Sequence, residues 1–223
     1  RVMAEFATER RLFVPIEAIP KRVIRAFLSA EDKNFYLHNG ISIPDIIRAS
    51  LVNLAHVGQN RRPIGASTIT QQVAKNFLLS SEVSLQRKVR EIILAVRLEE
   101  ALSKERILEL YLNEIYLGGG AYGVAAASLR YFGKSLDDLS VAEAAFLAAL
   151  PKAPNNYNPA RYPDRAQERC DWAIGRMLDD GVITADEAAT ARREPLGARL
   201  RAESEAVRAD YFAEEVQIGR AHV

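Results

Sequence analysis

The stretch LQRKVREIILAVRLEEALSKERILELYLNEIY, residues 85–116, sets the helical character of this chain. Its apolar side chains recur every three or four residues, which is the period of an amphipathic helix. Ser103 lies between two such runs and is a good N-cap residue. The stretch therefore predicts one helix over 84–102 and a second over 104–116. The second helix presents one packed face, formed by Ile107, Leu108, Tyr111, Leu112 and Ile115.

The same period continues on both sides of this stretch. From Pro20 it predicts a helix that reaches Glu31, and residues 41–57 are strongly amphipathic. Further helices are predicted over 68–79, 121–131, 140–149, 163–180 and 184–193. The opening RVMAEFATERRLFVP alternates weakly instead, which favours short extended strands. We therefore expect a mainly α fold.

The composition and charge of the chain limit the classes of ligand that it can bind. The chain has 223 residues and is 48% apolar, which is enough for a substantial core. Lys and Arg total 30 and Asp and Glu total 29, so no overall charge excess recruits nucleic acid. The single Cys170 cannot form an intramolecular disulfide, and we interpret it as a small buried residue. Any anionic ligand must be held by local clusters of side chains.

The segment AEDKNFYLHNG, residues 30–40, holds the first candidate for catalysis. Glu31 follows an apolar helical stripe, and a partly desolvated carboxylate is a better proton acceptor than a solvated one. Asp32, Phe35 and His38 follow within two turns. A lone Glu of this kind is more often an ordinary charged helix end, so the hypothesis depends on its neighbours.

The segment GASTITQQVAKN, residues 65–76, predicts a polar stripe on a helix. Thr68, Gln71, Gln72 and Lys75 share one face, and Ser67 is a candidate N-cap. An ordinary water-facing helix is richer in Glu and Lys. The stripe therefore favours hydrogen bonding to a neutral, hydroxyl-rich ligand beside a negative group.

In RKVREIILAVRLEE, residues 87–100, Arg87, Lys88 and Glu91 share a helix face. A helix-stabilising ion pair would also explain this spacing. Together with Glu31 and Lys75, however, the cluster suits the transfer of a sugar away from a phosphate leaving group. One carboxylate would deprotonate the acceptor, and the cations would stabilise the departing charge.

Five segments in order resemble the signature motifs of family 51 glycosyltransferases: EDKNFYLHNG, GASTITQQVAKN, RKVREIILAVRLEE, RILELYLNEIYLGGGAYGVAAASLRYFGK and LSVAEAAFLAALPKAPNNYNP. The resemblance runs from Glu31 to Pro159. It implies a mainly α, lysozyme-like fold with a small jaw subdomain whose apolar face sits against the membrane. The amphipathic stretch 41–57 aligns with this jaw, and plain core packing would explain its pattern equally well. The resemblance also implies polymerisation of lipid II into β-1,4 glycan, with inversion, on a lipid pyrophosphate donor.

The resemblance further implies roles for single residues. Glu31 would be the general base, and Glu91 the second essential carboxylate. Cations at the pyrophosphate would be Lys75, Arg87 and Lys88. Positions that line the cleft would be Asp32, Phe35, His38, Thr68, Gln72 and Asn76. A divalent cation, Mg²⁺ or Mn²⁺, would be held mainly by the pyrophosphate. Ala66 departs from the usual second glycine of its motif.

These motifs also set the expected domain boundaries. Residues 1–19 would be an extended N-terminal linker, and 20–195 the glycosyltransferase domain, with its jaw at about 41–64. Residues 196–217 would lead toward a missing transpeptidase domain. The last six residues, IGRAHV, are also encoded by one frame of a widely used sequencing adapter, and we interpret 218–223 as an assembly artefact. The expected location is the extracytoplasmic face of the bacterial inner membrane, with the anchor helix lying outside this fragment.

Two other functions fit parts of the sequence. A lytic transglycosylase or lysozyme-like hydrolase would share the fold, but it would not explain Lys75, Arg87 and Lys88. A helical scaffold for cell-wall machinery would explain the amphipathic helices, but not the polar stripe. The motif around Asn113 is interpreted as architectural, and Gly118 to Gly120 as the termination of a helix rather than a phosphate loop.

Overall fold

The computed structural model describes residues 10–56, 67–78 and 85–201, and this part of the chain is mainly helical. Its nine α-helices are α1 (Lys21–Glu31), α2 (Ile43–Ala55), α3 (Ile69–Leu78), α4 (Leu85–Ala101), α5 (Lys104–Glu114), α6 (Val124–Phe132), α7 (Val141–Ala149), α8 (Pro163–Asp179) and α9 (Ala185–Arg193). Two short strands, β1 (Arg10–Arg11) and β2 (Ala121–Tyr122), pair in parallel. The predicted mainly α fold is confirmed.

The chain forms two compact units. The inserted unit consists of residues 31–111, and the flanking unit consists of residues 1–30 and 112–223. The inserted unit holds α2, α3 and α4, and the division falls at the end of α1 and within α5. Every residue proposed above for catalysis or substrate binding therefore belongs to the inserted unit.

The core of the flanking unit is built around α7. Every residue of this helix after Val141 is buried, and the helix lies against α6, α8 and α9. Most of these residues are alanine, whose small side chain lets neighbouring helices approach closely. Phe146 packs edge-to-face on Tyr131 and Phe132, with ring centroids 5.6 Å and 6.1 Å away. Such aromatic pairs add to the stability gained from apolar burial.

Side-chain caps fix where several helices begin. Ser140 accepts a hydrogen bond from the backbone of Glu143, whose side chain accepts one from Ser140 in return. Thr184 and Glu187 form the same reciprocal box before α9. Ser103 caps α5 by accepting from the backbone of Arg106, as predicted. These helix starts are therefore set by short-range chemistry that the sequence displays.

The glycine stretch differs from its prediction. Helix α5 already ends at Glu114, and Gly118 to Gly120 form a tight turn after it, in which Leu117 and Ala121 are joined by a backbone hydrogen bond of 2.9 Å. All three glycines have positive φ, which other residues rarely adopt. Asn113 pairs with both backbone groups of Val14, at 2.7 Å and 2.9 Å, which agrees with an architectural role.

Residues 196–201 begin the predicted linker and are bound to the flanking unit. Arg199 and Arg201 donate their backbone N–H groups to the carbonyls of Tyr131 and Arg130, each at 3.0 Å. Arg130 also donates its guanidinium to the carbonyl of Arg201. The rest of the predicted linker, and residues 218–223, lie outside the described residues.

Candidate active site

The start of α3 is the centre of the polar arrangement in the inserted unit. Thr68 accepts a hydrogen bond from the backbone of Gln71 at 3.1 Å, and the Gln71 side chain accepts from the backbone of Thr68 at 3.0 Å. This reciprocal box makes Thr68 the N-cap, so the prediction of Ser67 was wrong by one residue. Both side chains are buried. Thr68 and Gln71 therefore hold the start of the helix. The polar stripe had predicted that they would face a ligand.

A second contact of Thr68 ties α3 to the turn before α2. Its hydroxyl donates to the carbonyl of Gly40 at 2.6 Å. Gly40 has a φ of 85°, and a Cβ there would lie 2.8 Å from the carbonyl oxygen of Ala95 on α4. Only glycine permits this close approach of two backbones. The Asn39-Gly40 turn is thus fixed against both α3 and α4.

Asp32 also binds the start of α3. Its Oδ2 accepts from the backbone N–H of Ile69 at 3.0 Å, and both of its carboxylate oxygens lie 3.0 Å from Nε2 of His38. Nε2 carries the proton, because a carboxylate only accepts. An anion at a helix N-terminus is also favoured by the helix dipole. Asp32 and His38 therefore join the 32–38 segment to α3.

Phe35 is fully buried, and its ring lies 6.2 Å from the His38 ring in an edge-to-face arrangement. Asp32 and the side chain of His38 are also almost wholly buried. These three residues were expected to line the cleft by resemblance. The structure instead buries them, and their contacts hold the segment that directly follows Glu31.

Glu31 is the last residue of α1 and is half-buried. Nε2 of Gln72 donates to its Oε2 at 2.8 Å, from the second turn of α3. This hydrogen bond fixes the direction of the carboxylate. Of the predicted polar stripe, Gln72 is the member that the structure brings to Glu31.

Tyr111 is a residue of this site that the sequence interpretation treated only as core. Burial raises the pKa of its hydroxyl well above the usual value, and the negative charges of Glu31 and Asp32 raise it further. The hydroxyl therefore stays protonated throughout the neutral pH range. Its position within reach of both charges could not be seen from its place on an apolar stripe.

A second polar group lies on α4. Lys88 forms an ion pair with Glu91 and donates to the hydroxyl of Ser67 at 2.9 Å. Glu91 is buried, whereas the Lys88 side chain is 45% exposed. The ion pair that the helical spacing suggested, Lys88–Glu91, is therefore present. Lys88 also connects α4 to Ser67, which directly precedes the N-cap of α3. Arg87, which precedes Lys88 on α4, is half-buried.

The remaining predicted residues, Lys75 and Asn76, are exposed on α3 and accessible to a ligand. The segment GQNRRPIGA, with its Gly65-Ala66 departure, lies outside the described residues, as does the end of the predicted jaw after residue 56. Within the described ranges, no group of three or more His, Cys, Asp or Glu side chains is arranged to hold a metal ion.

Helix α2 has an unusual surface. Ile43, Ile47, Leu51 and Leu54 are between 54% and 71% exposed, and Ala49 is its one buried residue. Such a row of exposed apolar side chains normally marks a contact surface. None of the helices in the described part of the chain has both the length and the apolar character needed to cross a membrane.

The chain belongs to the transglycosylase family, whose model matches residues 1–178. Among curated proteins, it is 52% identical to penicillin-binding protein 1A of Rickettsia felis over 217 residues, and 45% identical to penicillin-binding protein 1A of Escherichia coli K12 over 218 residues. It also matches the crystal structure of penicillin-binding protein 1A from Haemophilus influenzae, with a TM-score of 0.54 and 29% identity. The predicted family and fold are confirmed.

These similarities cover almost all of this chain but a small part of its relatives. They include 97% of the chain in each case, against 28% of the Rickettsia protein, 25% of the Escherichia coli protein and 22% of the Haemophilus structure. The chain therefore spans about a quarter of the length of these relatives.

Proposed function

We propose that this chain is a peptidoglycan glycosyltransferase that polymerises lipid II into β-1,4 glycan strands. The family assignment supports this reaction, and the relatives are named penicillin-binding proteins. Within the chain, the observation that carries the proposal is the 2.8 Å hydrogen bond from Gln72 to Glu31. It holds a half-buried carboxylate in one direction on a rigid helix end, as a general base requires.

In the proposed reaction, Glu31 takes the proton from the 4-hydroxyl of an acceptor lipid II. The hydroxyl oxygen then forms a bond to the anomeric carbon of the donor sugar as the bond from that carbon to the pyrophosphate oxygen breaks. Attack from the opposite face inverts the configuration from α to β. The proton stays on Glu31 and the electron pair leaves with the lipid pyrophosphate, so the step is balanced.

The leaving pyrophosphate needs positive charge, which we assign to Lys75, Arg87 and Lys88. Lys75 is exposed and Lys88 half-exposed, so both can reach a ligand. Glu91 holds the Lys88 ammonium in place through their ion pair. We propose that Glu91 acts near the donor by orienting this cation, since a fixed charge stabilises a transition state better than a mobile one.

A divalent cation, Mg²⁺ or Mn²⁺, is proposed to assist by binding the pyrophosphate oxygens. The described residues offer no cluster that would hold it alone, so we assign it to the substrate.

The exposed face of α2 supports a place at the membrane surface, where a lipid-linked substrate is found. Its isoleucine and leucine side chains would enter the boundary between lipid headgroups and acyl chains. We propose that this surface lies on the extracytoplasmic face of the inner membrane. Because the relatives are about four times longer, we also propose that a transpeptidase domain follows in the whole protein.

The experiment supplies the purified 223-residue chain with lipid II and a divalent cation, and separates the products by size. We expect glycan polymer that a muramidase degrades to disaccharide units. A preparation that makes no polymer but digests finished peptidoglycan would instead identify a hydrolase of the same fold.

A further inference from the structure

Lys104, at the start of α5, joins three separate parts of the inserted unit. Its ammonium donates to Glu99 at 2.7 Å and to the backbone carbonyl of His38 at 2.6 Å. It also lies 4.3 Å from the centre of the Phe35 ring, within range of a cation–π attraction. The Lys104 side chain is only 17% exposed, so these contacts form in a largely dry environment.

Glu99 extends the arrangement to α3. Its Oε1 accepts from the hydroxyl of Thr70 at 2.6 Å, while the same oxygen accepts from Lys104. Thr70 is fully buried and follows Ile69, whose N–H binds Asp32. The Lys104–Glu99 pair therefore contacts the 35–38 turn directly and the first turn of α3 through one hydroxyl.

Both of these segments determine where Glu31 points. The 32–38 segment follows Glu31 in the chain and is bound to α3 by Asp32, and α3 carries Gln72, which binds Glu31. A shift of either segment by a fraction of an ångström would change the direction of the base, and reaction rates are sensitive to such misplacement.

We propose that Lys104 and Glu99 are positioning residues for the glycosyl transfer, acting on Glu31 through the 35–38 turn and the start of α3. This inference rests on the proposed function. Lys104 touches no reacting atom in the proposed glycosyl transfer. Its ammonium suits the role because a compact cation can contact a carboxylate, a carbonyl and a ring face together.

The alternative is that the pair merely stabilises the fold, and the flanking unit offers a matched control. Lys134 pairs with the buried Glu143 at 2.8 Å, and Glu143 also accepts from the backbone of Ser140. Each pair thus joins a lysine to a carboxylate that accepts one further hydrogen bond. Lys104→Met and Lys134→Met both leave a carboxylate without its lysine partner, one in each unit.

The experiment measures kcat and KM for lipid II in wild type, Lys104→Met and Lys134→Met, at a temperature where thermal melts show all three fully folded. We expect Lys104→Met to lower kcat by about tenfold or more with little change in KM, because orientation is lost rather than binding. Lys134→Met should keep the wild-type kcat. Equal kcat values for the two variants would overturn the proposal.

Amide hydrogen exchange without substrate gives a readout independent of activity. Lys104→Met should speed exchange in residues 32–40 and 67–72 and leave residues 141–149 unchanged. Unchanged exchange in the first two segments would also overturn the proposal. If wild type makes no polymer, the proposed function fails, and the exchange data still decide whether Lys104 positions these segments.

Discussion

The two units of this chain bury different kinds of side chain. Among the described residues, the inserted unit holds nine of the forty buried apolar side chains but seven of the twelve buried polar or charged ones. It also carries nine of the twelve large apolar side chains that are exposed in the described ranges. The flanking unit has a conventional apolar core, and capping boxes at Ser140 and Thr184 fix the starts of its helices α7 and α9.

Stability and catalysis favour different kinds of buried side chain. A buried polar group costs stability unless it is fully hydrogen-bonded, so a chain that only has to fold keeps few of them. Four of the seven in the inserted unit, Asp32, Thr68, Thr70 and Gln71, are hydrogen-bonded at the start of α3. The inserted unit also leaves apolar side chains of α2 in water, which folding alone would not favour. Variants matched between the two units can therefore test whether these polar groups serve catalysis.

The largest expected effect follows from Glu31→Gln, which keeps the shape of the side chain but removes the proton acceptor. Polymerisation of lipid II should fall by roughly 10²–10⁴-fold, the usual contribution of a general base. The melting temperature should change little. Glu100→Gln is the control, since Glu100 is exposed on α4. A Glu31→Gln chain that polymerises at the wild-type rate would remove the base from the mechanism.

Asp32→Asn should affect both stability and rate. The change removes the charge that accepts from His38 and from the helix N-terminus, and hydrogen bonds to charged groups contribute about 1.5–3 kcal/mol each. Denaturant unfolding should show a loss of about 2 kcal/mol, and kcat of the folded protein should fall as well.

The control for Asp32→Asn is Phe146→Leu in the flanking unit. It should lower stability by about 1–2 kcal/mol, through lost packing and lost aromatic contacts, without changing kcat of the folded protein. Similar losses of kcat in both variants would mean that any loss of stability impairs turnover, and the distinction between the units would not hold.

Leu51→Ser tests the exposed face of α2. Leu51 is 62% exposed, so its loss should leave the fold intact while removing about 1.5 kcal/mol of apolar burial at a membrane. Binding to vesicles that contain phosphatidylglycerol, measured by sedimentation, should weaken about tenfold. Phe13→Ser removes an exposed apolar side chain of the flanking unit and should not alter binding. Equal weakening by both would argue against a specific membrane surface.

Gln72→Glu should lower the rate, because it removes the hydrogen bond that orients Glu31, and it should also change the pH dependence. The new carboxylate replaces a hydrogen-bond donor beside Glu31, and a neighbouring like charge disfavours the charged form of a carboxylate. Protonated Glu31 cannot act as a base, so activity is lost as the pH falls. The acidic limb of the kcat/KM profile should therefore move to higher pH in this variant. An unmoved limb would mean that Gln72 does not act on the titrating group.

Much of the fold could be predicted because helix period and caps are local properties. Predicted ends for α3, α4, α7, α8 and α9 lie within one residue of the observed ones, and Ser103 caps α5 as expected. The glycines after α5 were misassigned because the helical spacing of the sequence continues to residue 116, whereas the helix ends at Glu114.

The site was only partly predictable, because helical spacing does not say which face is buried. Thr68 and Gln71 share a face with Gln72 in sequence, yet they are used in the cap while Gln72 reaches Glu31. Lys104 and Glu99 are five residues apart across the break between α4 and α5, so no helical spacing joins them. Such contacts depend on tertiary packing that a single sequence does not display.

We assign the chemistry to residues 31–111. The direct test is photocrosslinking of Glu31→Gln, which should hold its substrate without consuming it, to a lipid II analogue with a diazirine beside the pyrophosphate. Peptide mapping by mass spectrometry should place the crosslinks within residues 31–111, around Lys75 and residues 87–91. Crosslinks confined to residues 112–201 would contradict the account.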